Sequence, residues 1–159
     1  MSEELSAIAR EIQQRRPFRT KGQEVVVSLL RTSDVLRRFV TRVLEPYGIT
    51  PQQYNVLRIL RGAGEDGCPT LSIGERMIEE APGITRLIDR LEIKGLVRRQ
   101  RCVEDRRQVL CWLTSEGRAL VDRIDEPMDT ADDEAVGMLS SEEQTTLCEL
   151  LDKIRAGHR

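Results

Sequence analysis

Across residues 71–114 the hydrophobic pattern is helical, breaks at a turn, becomes helical again, and then changes to strict alternation. No other feature constrains the fold as much. Helix, turn, helix and two-stranded ribbon, in that order, make a helix-turn-helix followed by a wing. This shape offers one helix and one hairpin to double-stranded DNA. In the second helix, Ile84, Leu87, Ile88 and Leu91 fall at i, i+3, i+4 and i+7 and form one buried stripe. Thr85, Arg86, Asp89, Arg90 and Glu92 lie on the opposite face, with Arg86 and Arg90 one turn apart. Pro82 is expected to open this helix, because proline loses no needed hydrogen bond at the first helical position. Gly83 carries no side chain to hold the backbone away from a partner. Gly95 is expected to close it, with Lys94 favouring the negative end of the helix dipole.

The ribbon reads as strands over residues 96–101 and 108–113 around a polar tip at 102–107. Asp105 would repel phosphate, so its expected role is to orient Arg107 by a charge-assisted hydrogen bond. Arg106 and Arg107 would then reach a minor groove, where the phosphate walls concentrate negative potential. Thr85, Arg86 and Gly83 are the candidates for base edges or phosphates in the major groove, and Arg90 and Lys94 for the DNA backbone.

With those residues in view, the chain resembles the MarR family of winged helix-turn-helix transcriptional regulators. The resemblance rests on Ile84-Thr85-Arg86-Leu87-Ile88-Asp89-Arg90-Leu91-Glu92, Lys94-Gly95-Leu96-Val97, Glu104-Asp105-Arg106-Arg107, and Leu113-Thr114-x-x-Gly117. It places the family's Asp-x-Arg wing motif on Asp105 and Arg107. Two features depart from the family pattern. The turn between the helices, read as residues 78–82, holds Glu79 and Glu80 where a small residue or glycine is common, and Cys102 stands where an acidic residue is common. The resemblance implies a cytoplasmic homodimer joined through its terminal helices. It also implies a small aromatic or phenolic effector that binds between the dimer arms and the DNA lobe.

The formal net charge of −2 argues against a DNA partner until its distribution is considered. Residues 84–107 hold 8 basic and 4 acidic side chains, whereas residues 122–134 hold 7 acidic and 1 basic. The local field steers a polyanion, so the acidic segment should face away from DNA. Aromatic residues make up only 3%, too few for stacking on single-stranded bases. No apolar run suggests a membrane span or secretory signal. Cys68, Cys102, Cys111 and Cys148 lack metal-type spacing and His158 is the one histidine, so no metal and no cofactor is expected. Cys111 reads as core filler. Cys102, beside arginines, leaves open a cysteine-based redox-sensing regulator. A winged-helix protein-interaction module is the other alternative. A thiol enzyme has no partner histidine near its cysteines.

The remaining segments read as helices: residues 2–15, then 23–44, then 51–61 behind a Thr50–Gln53 capping box, 115–136 behind Thr114, and a last helix behind a Ser140–Glu143 capping box. Pro127 is expected to kink or break the fifth of these. Residues 68–70 are expected to add a short strand to the wing. The first motif helix should begin near Leu71, capped by Thr70 or Ser72, with Ile73, Met77 and Ile78 turned inward. The expected architecture is therefore mainly α with a small β-wing. A winged helix-turn-helix lobe spans 50–114, and 1–48 and 115–159 form a helical dimerisation region, all in one MarR-type domain.

Overall fold

The computed structural model describes residues 5–102, 105 and 107–158. Among these the order is α1 (Ala7–Glu11), α2 (Lys21–Leu44), α3 (Pro51–Ala63), β1 (Cys68–Pro69), α4 (Thr70–Glu75), α5 (Ile84–Ile93), β2 (Val97–Arg101), β3 (Val109–Leu113), α6 (Ser115–Val136) and α7 (Ser141–Ala156). The chain packs as two compact units, Met1–Phe39 and Val40–Arg159.

In the first unit, α1 is much shorter than the sequence pattern suggests. Gln13 takes a left-handed backbone (φ 56°), which cannot continue a helix. Arg31 of α2 donates from Nε to Glu11 Oε1 at 2.7 Å and so ties α1 to α2. Val25, Val26, Leu30, Val35 and Leu36 on α2 stay exposed.

In the second unit, α3 starts as its sequence predicts. Thr50 Oγ1 accepts from the Gln53 amide and Gln53 Oε1 accepts from the Thr50 amide, both at 3.2 Å. Val56, Leu57 and Leu60 of α3, Ile88 and Leu91 of α5, Val97 and Cys111 of the sheet, and Val121 and Ile124 of α6 close one core. The sheet is antiparallel in the order β1-β3-β2, with Cys68 opposite Cys111 and Val97 opposite Leu113. The short first strand does pair with the wing, as expected.

Two expectations about α4 fail. Pro69, not Thr70 or Ser72, precedes the helix, and the Thr70 hydroxyl instead donates to the Val109 carbonyl at 3.2 Å. Ile73 is buried and Met77 packs on the core, but Ile78 is 87% exposed because the helix has already ended at Glu75.

Pro127 does not break α6, which runs unbroken from Ser115 to Val136. Proline removes one amide donor and frees the carbonyl four residues back. Here that carbonyl belongs to Arg123, and the Tyr47 hydroxyl donates to it at 3.4 Å. Part of the acidic stretch turns toward α3: Arg61 makes a two-pronged contact with Asp125, at 2.6 and 2.9 Å. This arginine holds the Asp125 carboxyl below its ordinary range. The last helix has the reciprocal Ser140–Glu143 cap and leaves Leu147, Leu150 and Ile154 exposed.

Candidate nucleic-acid interface

The α5 stripe is laid down as its spacing requires: Ile88 and Leu91 are fully buried, and Ile84 and Leu87 pack against the core. The helix starts later than Pro82, however. The amides of Gly83 and Ile84 both donate to the Ala81 carbonyl, at 2.7 and 3.1 Å, so Pro82 and Gly83 form a tight turn. Gly83 becomes the N-cap and Ile84 the first helical residue. The connection from α4 therefore covers residues 76–83 rather than 78–82. It is anchored where the Ile78 amide donates to Asn55 Oδ1 at 2.8 Å.

At about 100° per residue, the polar side of α5 divides into a centre and two flanks. Arg86 lies near the centre, flanked by Thr85 on one side and Arg90 on the other. All three, and Gly83, are exposed. Asp89 lies as near the centre as Arg86, on its Thr85 side, and Glu92 lies farther round beside Thr85. Both meet one guanidinium, that of Arg99 on β2. Nη1 is 2.6 Å from Asp89 Oδ1, Nη2 is 2.5 Å from Glu92 Oε2, and Nε donates to the same Glu92 oxygen at 2.9 Å. The arginine holds the Glu92 carboxyl below its usual range. On the opposite flank, Lys94 donates from Nζ to the Gly48 carbonyl at 2.5 Å, with Gln53 Oε1 at 3.4 Å. Lys94, expected on the DNA backbone, is exposed and also has these two partners in the lobe.

Arg99 was absent from the sequence-derived candidates. Its signal was available: alternation from the buried Val97 puts residue 99 on the core side of β2 and residue 98 on the outer side. Arg98 does face out, with its guanidinium 4.2 Å from the Trp112 ring centre.

The junction between α5 and the wing is equally specific. Gly95 has φ 71° and sits just past the helix end. Its amide donates to the Glu92 carbonyl at 2.9 Å, and the Leu96 amide donates to that of Leu91 at 3.0 Å. This pair of bonds satisfies the last helical carbonyls and needs a residue free to adopt the left-handed region. Thr114 then links both ends of the ribbon. Its hydroxyl donates to the Gly95 carbonyl at 2.7 Å and accepts from the Gly117 amide at 3.0 Å, while its own amide donates to the Leu96 carbonyl at 3.1 Å.

At the tip, Asp105 does act on Arg107, though not through the guanidinium. Asp105 Oδ1 accepts from the Arg107 backbone amide at 3.0 Å, and its carbonyl accepts from the Gln108 amide at 2.9 Å. The carboxylate shapes the turn and leaves the exposed Arg107 side chain out of that bond. Arg106 lies outside the described residues. Cys102 is half-buried at the root of this turn, and Cys68 and Cys111 are buried free thiols.

This geometry can be set beside known proteins. The MarR family model matches residues 49–109, from the end of the turn before α3 into β3. The transcriptional regulator PecS of Dickeya dadantii is 30% identical over 154 residues, covering 95% of this chain and 92% of its own. The chain belongs to the MarR family. As a member it is a DNA-binding transcriptional regulator, and the relatives it matches are transcriptional regulators. Two solved MarR-type structures are also similar. One is S. aureus MepR in complex with DNA: TM-score 0.75, 27% identity, 82% of this chain and 96% of that one. The other is Bordetella bronchiseptica BpsR, whose DNA binding is regulated by 6-hydroxynicotinic acid: TM-score 0.74, 25% identity, 83% of this chain and 98% of that one. No helix among the described residues is long and apolar enough to cross a membrane.

Proposed function

We propose that this MarR-family chain is a ligand-responsive repressor that binds a near-palindromic operator as a homodimer. The observation that carries the reading is the division of labour on α5. Arg99 engages Asp89 and Glu92, the Gly48 carbonyl engages Lys94, and Arg86 is left exposed near the centre of the outward face with Thr85 and Arg90 toward its edges. A helix held this way enters a major groove with its N-terminal half at the base edges. Gly83, Thr85 and Arg86 contact bases or nearby phosphates, and Arg90 holds the DNA backbone. Arg107, with Arg106, enters the adjacent minor groove. Lys94, exposed at the helix end, joins Arg90 on the DNA backbone while its contact with the Gly48 carbonyl fixes that end.

Second-copy association is supported by two sets of exposed apolar side chains, Val25, Val26, Leu30, Val35 and Leu36 on α2 and Leu147, Leu150 and Ile154 on α7. A two-fold pair places two recognition helices about 34–36 Å apart, one turn of the duplex. For the effector, a cleft of about 600 Å³ lies within the second unit, between Ile49 and Thr41 on one side and Arg90, Ile93 and Lys94 on the other. Ile49 and Ile93 supply apolar wall and Arg90 and Lys94 supply cations, against one carboxylate, Glu45, so an aromatic acid is the ligand class proposed. Binding there would act on the lobe through its preference for one conformation over another.

Selection of bound duplexes from a random pool tests the reading. Two inverted half-sites about one helical turn apart are expected. Recovery of no sequence, or of a single unrepeated site bound by one subunit, overturns it. Adding 6-hydroxynicotinic acid and related aromatic acids to the recovered complex tests the effector, with release of DNA as the expected result.

A further inference from the structure

Arg99 belongs to the wing, yet its guanidinium is spent on the recognition helix. All three of its donor nitrogens meet Asp89 or Glu92, at 2.5 to 2.9 Å, and its side chain is only 27% exposed. Asp89 and Glu92 are one turn apart on α5, beside Thr85, so an uncompensated pair of carboxylates there would face the same phosphates that Arg86 approaches. We infer that Arg99 is a positioning residue for DNA binding: it cancels the charge of Asp89 and Glu92 and sets the angle between recognition helix and wing, without touching DNA itself. The inference rests on the proposed DNA-binding role of α5.

Three features favour this over a direct phosphate contact. Three of the five guanidinium N–H groups are directed at the two carboxylates, which neutralise its charge before any phosphate approaches. The Arg99 Cα is opposite Cys111, whose side chain is wholly buried, so strand alternation directs residue 99 toward the body of the lobe rather than outward. Arg98 and Arg101 on the same strand are exposed, with Arg98 lying over the Trp112 ring. The same contact joins the two DNA-reaching elements, α5 and β2.

The test is a double-mutant cycle on operator affinity, using the full-length protein. Arg99→Ala is expected to weaken binding about tenfold, and in the Asp89→Asn/Glu92→Gln background the same change is expected to cost about twofold or less. Arg99→Lys keeps the charge but not the fork and should fall between wild type and Arg99→Ala. An equal loss in both backgrounds means that Arg99 contacts DNA directly and overturns the inference. So does unchanged binding by Arg99→Ala, or a loss that disappears once binding is corrected for the unfolded fraction, which would mark a purely structural role. The wild-type protein and Arg86→Ala serve as references. If the wild type selects no duplex, the DNA-binding reading fails. If it does and Arg99→Ala binds equally well, only the inference fails.

Discussion

The recognition helix and the wing tip are both arginine-bearing projections, but they are held in different ways. The helix is oriented from outside itself. Arg99 grips one flank, Lys94 reaches from the other to the Gly48 carbonyl, and the Ile88–Leu91 stripe anchors the back. The tip is shaped from within, by Asp105 accepting the amide two residues on. A major-groove reader must hold a fixed angle to match base edges, and only cross-element contacts supply that. A minor-groove probe needs a turn that presents its arginine, and a local side chain is enough. The two regions meet at the Gly95–Thr114 junction, where their independence ends.

The sharpest way to collapse the comparison is to damage that junction. A Cβ on Gly117 would lie 2.1 Å from the Leu96 carbonyl oxygen, a backbone atom that cannot swing aside. Gly117→Ala should cost about 3 kcal/mol of stability in chemical denaturation, and it should weaken helix and wing contacts together. Separating the two regions comes next. Arg86→Ala should lose about 1–3 kcal/mol of operator affinity and relax preference at one base position. Arg107→Ala should lose roughly tenfold, with an unchanged thermal midpoint in both variants. Wild-type-like gel shifts by Arg107→Ala at physiological salt would remove the wing from the interface.

The local character of the tip is tested by Asp105. Asp105→Asn keeps an oxygen for the Arg107 amide and should bind nearly as wild type, while Asp105→Ala should lose about 1 kcal/mol of affinity. Equal losses in both would show that the charge, not the acceptor, matters. The smallest effect concerns the helix flank and pH. Arg99 depresses the Glu92 carboxyl from its ordinary 4.5, so this contribution is complete above about pH 4.5 and is lost as pH falls through the lowered value. Because the pair is partly exposed, Glu92→Gln should cost less than about 1 kcal/mol at pH 7. The gap to wild type in thermal midpoint should close as pH falls through that lowered value.

Sequence alone carried whatever depends on neighbours within a turn or two. The capping boxes at Thr50 and Ser140, the Thr114 cap, the buried stripe of α5, the left-handed Gly95 and the alternation of β3 all follow from spacing, because the groups involved are joined by a few bonds of chain. Asp105 was legible for the same reason, though a carboxylate two residues from an arginine can reach either its amide or its guanidinium, and only the turn chose the amide. Tertiary structure decided the rest. Pro127 sits in a continuous helix whose flanks are anchored by Leu120, Val121, Ile124, Met128 and Ala131 in the core, which outweighs one missing backbone bond. Ile78 is exposed because α4 ends a turn early against Asn55. Arg99 read as one more basic residue in a basic stretch and Lys94 as a helix-end cation and DNA-backbone contact, and the lobe partners that each meets depend on what the fold brings alongside. A charge has no period: which opposite charge it meets is set by packing over distances that linear spacing does not encode.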